Sequence, residues 1–202
     1  MKLTLVKSEG FNEAMLGAML SYGKTDFDII SNYAQTGDIP YEIKDRFIPL
    51  SHSLVKSGAG HDKFLEQIQC WIVIQAPLYW WKQFDTYRIG VSKSSESTMH
   101  KSWKNGLTQD MFEHPVFEST LNKLNELIAE YMSDKTSPKC KKQLFDMIVS
   151  NLPDGYLQTR LVNVNVKTLR NIYKQRHDHK LPEWNFFCGW LETSYYRDLI
   201  TI

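Results

Sequence analysis

Residues 76–100 read APLYWWKQFDTYRIGVSKSSESTMH, and the rest of the chain is organised around them. Three aromatics, Tyr79, Trp80 and Trp81, are followed by an amide (Gln83), a cation (Arg88), a hydroxyl-rich loop (Ser92, Ser94, Ser95, Ser97) and a carboxylate (Glu96). Hydrophobic patterning alone does not place so many hydroxyl and polar groups directly after an aromatic helix. A nucleotide site does, because it needs donors and acceptors of several kinds close together. The stretch is therefore read as a site and its surroundings as support.

Immediately upstream, Glu66 to Ala76 alternates. Ile68, Cys70, Ile72 and Ile74 share one parity, and Gln67, Gln69, Trp71, Val73 and Gln75 share the other. This predicts a strand with one face on a core and one face mixed. Pro77 suits the first turn of the helix expected over Leu78 to Tyr87. On that helix Trp80, Phe84 and Tyr87 fall on one face, with Gln83 beside it. Further upstream, residues 2–6 alternate as a short strand. Asn12 to Tyr22 and Asp26 to Ala34 carry helical spacing, with Gly23 as a stop and Gly37 to Pro40 as a turn. Tyr41 to Lys56 reads as a helix interrupted near Pro49, and Gly58 to Gly60 breaks the chain before His61.

Downstream, Phe117 to Tyr131 and Lys139 to Val149 are amphipathic helices. Leu161 to Val166 is a strand end. Asn165 caps a helix running to Arg176, and Pro182 to Ile200 is a last, core-facing helix. Arg176 sits at the i+7 position of an apolar helix face. Burying a guanidinium is costly unless it meets a carboxylate, a phosphate or a polarised carbonyl. Snorkelling from a helix end is the plain alternative. His177-Asp178-His179 reads as a polar helix terminus rather than a metal site, since no third ligand is near in sequence.

Bulk properties bound the function classes. The chain has 202 residues, 42% of them hydrophobic, which suits one α+β domain over residues 1–202. Twenty-four basic against 23 acidic residues leave a net charge of +1, so no electrostatic footprint for nucleic acid or an anionic membrane is present. No apolar run approaches the roughly 20 residues that span a bilayer. The three cysteines, Cys70, Cys140 and Cys188, are odd in number and widely spaced. They point to reduced thiols in a cytoplasmic compartment. No glycine-rich phosphate loop, GxSxG or CxxC is present. Amides and guanidinium groups at element ends can read planar ligands such as a pyrimidine or a flavin. An Arg against a pyrimidine oxygen can stabilise charge that develops on the ring.

These residues, in this order, resemble the flavin-dependent thymidylate synthases. Gly60-His61 resembles the family's Gly-His, with Glu66 following, and Ala76-Pro77 its Ala-Pro strand end. Gln83 falls on the family's Gln, Thr86-Tyr87-Arg88 on Arg-His-Arg, and Glu96 and Ser97 near the loop's Glu and Ser. Leu152-Pro153, Thr159-Arg160 and the segment Asn165 to Asn171 match further motifs. The resemblance covers roughly residues 41–195 and implies a central, mostly antiparallel sheet with packed helices. It implies one-carbon transfer from methylenetetrahydrofolate to C5 of dUMP, with FAD and NADPH supplying hydride, in a cytoplasmic homotetramer. Gln83, Arg88, Glu96, Ser97 and Arg176 would contact substrate, with Arg176 catalytic through its effect on the ring. His61, Thr86, Tyr87, Arg88, Asn165, Lys167 and Asn171 would contact the flavin.

The departures are specific. Thr86 and Tyr87 stand where the family has Arg and His. Met99 and His100 stand at the loop's Arg and Tyr, and no Arg lies near residues 149–151, although Lys141 and Lys142 are nearby. They point to a bacteriophage-type or otherwise divergent relative of that family. Three functions stay open: this enzyme, a nucleotide- or flavin-binding homologue with other or no chemistry (hydroxymethylation of a pyrimidine nucleotide among them), and a purely structural protein.

Overall fold

The computed structural model describes residues 1–58, 60–97 and 105–202. Met99 and His100 lie outside the described residues. The architecture is α+β: helices packed on a four-stranded, mostly antiparallel sheet. The strands are β1 (Lys2–Glu9), β2 (Gln69–Pro77), β3 (Val91–Ser95) and β4 (Leu157–Asn165), in the order β1-β2-β4-β3.

The alternation read in the sequence governs β2. Cys70, Ile72, Ile74 and Ala76 are buried, while Gln69, Trp71, Val73 and Gln75 are half-buried. Each fully buried aliphatic side chain contributes about 1.5–3 kcal/mol. The strand begins later than expected. Residues His61–Glu66 form a 3-10 turn, so His61 opens a turn rather than a strand. Phe64 and Leu65 enter the core from that turn, a three-residue geometry that alternation cannot describe.

The chain divides into two compact units. The first holds residues 1–3, 73–86 and 93–161. It contains α5 (Leu78–Phe84), α6 (Glu118–Met132) and α7 (Pro138–Asn151). Helices α6 and α7 pack together, and Leu124, Ile128 and Ile148 meet Leu107, Phe112 and Tyr156. A second cluster is aromatic. Trp80 stacks on Phe84 at 5.0 Å between centroids, and Trp81 meets both rings edge-on. Helix α5 ends at Phe84, one turn before the expected Tyr87. The hydroxyl-rich segment, read as a loop, is in large part the strand β3. Its serines are exposed on the outermost strand, where hydroxyls tolerate water and backbone pairing with the sheet outweighs low strand propensity.

The second unit holds residues 4–72, 87–92 and 162–202. Its helices are α1 (Phe11–Leu20), α2 (Phe27–Thr36), α3 (Tyr41–Lys44), α4 (Phe47–Ser57), α8 (Val166–Arg176), α9 (Pro182–Glu192) and α10 (Arg197–Ile200). Asp26 caps α2 by accepting the Ile29 N–H at 3.0 Å. The break expected near Pro49 falls instead at Asp45 and Arg46. Pro49 lies in the first turn of α4, where an imide nitrogen costs no helical hydrogen bond. The single helix expected over 182–200 is two, because residues 193–196 form turns whose hydroxyls bond back to the helix, Ser194 Oγ to Leu191 O at 2.6 Å. Helix α8 packs against α9, α10 and the 3-10 turn, burying Leu169 and Ile172. Arg170 is buried as well. It donates to the Leu199 carbonyl at 3.1 Å, and its pKa is lowered by burial.

Among the described residues, no helix is long and apolar enough to cross a membrane.

Candidate functional site

Helix α8 supplies Lys167, Asn171 and Arg176, three of the candidate groups in the second unit. Its boundaries follow from Asn165. The Asn165 side chain accepts the Thr168 N–H at 2.8 Å, satisfying an otherwise open donor of the first turn. The Ile89–Gly90 backbone lies directly on this helix start. Asn165 N–H donates to the Gly90 carbonyl at 3.1 Å, and the Thr168 hydroxyl donates to the Ile89 carbonyl at 2.8 Å. Gly90 has φ +68°, and a Cβ there would stand 2.1 Å from Asn165 Nδ2. Only glycine permits this approach. The side chains of Arg88 and Ile89 are exposed.

At the other end of α8, Arg176 is half-buried and its guanidinium lies 5.0 Å from the centre of the Trp184 ring. Arg176 Nε–H donates to the Tyr87 hydroxyl at 2.9 Å, and that hydroxyl donates to Gln175 Oε1 at 2.9 Å. Gln175 Nε2 in turn donates to Asn171 Oδ1 at 3.0 Å. Tyr87 is only 8% exposed, and its ring meets Trp184 edge-on at 6.2 Å. The anomaly read in the sequence, a guanidinium on an apolar face, is thus a cation set on an aromatic ring and held by a phenol. His179 stands nearby. Its Nδ1 accepts the Leu181 N–H at 3.1 Å and its ring meets Trp184 at 6.3 Å. Burial first, and the Arg176 and Lys180 charges second, lower its pKa.

The remaining cofactor positions of this unit are placed as follows. Lys167 pairs with Asp62, a buried carboxylate next to His61. His61 is exposed and lines a cavity of about 700 Å³ whose walls include Ala14, Gly17, Tyr22 and Phe64. Asn171 is exposed. With its carbonyl oxygen bonded to Gln175, it presents amide N–H donors.

The first unit carries the other positions. Gln83 is half-buried near the end of α5, and its carbonyl accepts the Thr86 hydroxyl at 2.7 Å. Glu96 does not display its carboxylate freely. Glu96 Oε1 accepts the Thr159 N–H at 2.8 Å, and its backbone pairs with Thr159 and with the Gln158 side chain. Ser97 is exposed. The same unit holds a network the sequence did not reveal. Asp85 accepts from Lys93 at 2.6 Å and from Arg160 at 2.9 Å, and Arg160 lies 4.2 Å over the Trp81 ring. Burial pushes the Asp85 carboxyl up, but the bonds and charges of Lys93 and Arg160 outweigh it and its pKa is lowered. Thr159-Arg160 was matched only as a motif, and nothing in spacing names Asp85 as its partner. Gln175 was missed too, although its i, i+4 relation to Asn171 was a readable signal.

Among the described residues no cluster of three His, Cys, Asp or Glu side chains is arranged for a metal.

The fold is similar to that of the flavin-dependent thymidylate synthase ThyX from Helicobacter pylori complexed with FAD and dUMP. The TM-score is 0.68 at 14% identity, covering 99% of this chain and 98% of that one. A second structure of the Helicobacter pylori enzyme with FAD and dUMP gives 0.66 at 15% identity, over 99% and 97% of the two chains. The UMP/dUMP methylase PolB from Streptomyces cacaoi, bound with 5-Br dUMP, gives 0.62 at 12% identity, over 97% and 90%. No protein-family model matches the chain, and no curated protein matches it.

Proposed function

We propose that this chain, which has the flavin-dependent thymidylate synthase fold, binds a deoxyuridine nucleotide and acts at C5 of its pyrimidine ring. One observation carries the reading. Arg176, at the family's pyrimidine-activating position, is held half-buried against Trp184 with its Nε fixed by Tyr87. A guanidinium pre-set in this way stabilises negative charge on a pyrimidine oxygen as C5 becomes nucleophilic, without reorganising at the moment of reaction. Low polarity around Trp184, which is fully buried, strengthens that interaction. Arg88 is a second, exposed cation, suited to the nucleotide's anionic end. Gln83, Glu96 and Ser97 are the further substrate positions the resemblance supplies.

The flavin fits this chain with a changed set of contacts. Arg88, the Asn171 amide and Lys167 offer N–H donors of the kind a flavin's carbonyls and diphosphate accept, and His61 lines a cavity. Asn165 orders the loop that carries Arg88. Thr86 and Tyr87 do not fit the family role: the threonine hydroxyl is bonded to a backbone carbonyl and the phenol is bonded inside the unit. A bound FAD would supply hydride to the ring, with methylenetetrahydrofolate as carbon donor and NADPH as reductant. The second reading, nucleotide binding without a flavin, is favoured by these two hydroxyls, each already bonded within the chain.

The test is an absorbance scan with and without added FAD, followed by titration with dUMP. Flavin bands that bind stoichiometrically and shift with dUMP are expected for the first reading, with Arg176→Ala weakening nucleotide binding about tenfold or more. Binding of dUMP without any flavin bands selects the second. Neither ligand binding at micromolar concentration overturns both.

A further inference from the structure

We propose that Tyr87 is a positioning residue: its phenol orients the Arg176 guanidinium and couples it, through Gln175, to the Asn171 amide. This inference rests on the nucleotide reading above and deepens it.

The four groups form one directed chain. Arg176 Nε–H donates to the phenol oxygen at 2.9 Å, the phenol proton goes to Gln175 Oε1 at 2.9 Å, and Gln175 Nε2 donates to Asn171 Oδ1 at 3.0 Å. Direction follows from chemistry. A guanidinium has only donors, so the phenol must accept from it and is left to donate onward. Gln175 receives at its oxygen and therefore gives from its nitrogen. Asn171 receives at its oxygen and therefore turns its own N–H groups outward. The donor-only guanidinium of Arg176 thus sets the polarity of every later link.

Geometry limits what the guanidinium can do. With Nε bonded to a phenol that is 8% exposed, and with the Trp184 ring 5.0 Å away, rotation about the last side-chain bonds is confined. A planar fork whose plane is fixed presents its edge at a set angle, which is what a planar pyrimidine edge requires. Arg176 and Asn171 are the positions assigned by resemblance to pyrimidine and flavin. One chain of hydrogen bonds therefore sets a substrate-side group and a cofactor-side group together. The tyrosine that replaces the family's histidine gives up a flavin contact and takes a place between the two ligand-facing groups.

The competing account is that Tyr87 only fills space beside Trp184. Gln175 separates the two accounts, because it is exposed and adds nothing to the core. Two variants of the full chain, Tyr87→Phe and Gln175→Leu, are compared with wild type. The readouts are dUMP affinity by calorimetry and solvent exchange of the Arg176 Nε–H resonance without ligand. Expected results are an unfolding midpoint near wild type, dUMP binding about tenfold weaker in Tyr87→Phe and several-fold weaker in Gln175→Leu, and faster Nε–H exchange in both. If wild type binds dUMP and both variants bind within twofold of it, positioning is overturned and packing remains. If wild type binds no dUMP, the nucleotide reading fails and this inference falls with it. Should Tyr87→Phe not fold, the surface variant Gln175→Leu decides alone.

Discussion

At Gly90 the chain has no room for a single methyl group. The position combines a positive φ with backbone packed on Asn165, so Gly90→Ala meets both strain and a 2.1 Å clash. Relief requires Asn165 to move, which uncaps α8. Gly90→Ala is expected to lose more than about 2 kcal/mol in denaturant unfolding, above the usual cost of either fault alone. Some of this scale was legible in the sequence. Asn165 stands where an alternating run gives way to helical spacing, and only a short polar side chain does well there. Arg176 stood out because a charge interrupted an apolar face. The phenol of Tyr87 was not legible. A tyrosine's packing can be guessed from its face, but the partners of its hydroxyl come from residues 88 and 89 positions away.

The end of α5, β3 and β4 are fastened by Asp85, which meets Lys93 of β3 and Arg160 of β4. Its folded-state pKa lies below the unfolded one. The carboxylate therefore contributes stability above the unfolded value of about 3.9, and that contribution is lost as pH falls through the folded value. Asp85 is 42% exposed, so solvent screening limits the gain to roughly 1 kcal/mol or less. Asp85→Asn is expected to be less stable than wild type at pH 7, with the gap closing below about pH 4, as followed by chemical denaturation across pH. Elements with a strong period, β2 and α8, were legible because burial on one face imposes that period. Strand β3 was not, since an outermost strand has little burial to impose and its serines resemble a loop. The break at residues 193–196 was hidden for the opposite reason: Tyr195 and Tyr196 continue the aromatic content of α9, and only local hydroxyl bonding ends the helix.

For the molecule as a whole, the overall fold was read from ordered short motifs while identity to the similar structures is 12–15%. Such agreement is physically reasonable, because a fold needs the spacing of caps, turns and apolar faces more than it needs particular side chains. Ligand chemistry needs the particular side chains, which is why Thr86 and Tyr87 could not be interpreted before their partners were seen. The cysteines give a test of the folded chain. Burial pushes the Cys70 thiol up to about 12, and burial with the Glu192 charge does the same to Cys188, while Cys140 is exposed. Thiolate is the reactive form. Native protein at pH 8 is expected to react with a thiol reagent at one site, identified as Cys140 by peptide mapping, and at all three cysteines after unfolding.

Trp184 has a consequence of another kind. A buried indole beside a cation emits at an energy set by where that positive charge lies. Any molecule that draws the Arg176 guanidinium away from the ring must alter the field on the indole. The chain therefore carries its own optical reporter, one that senses occupancy through the group expected to act on the ligand.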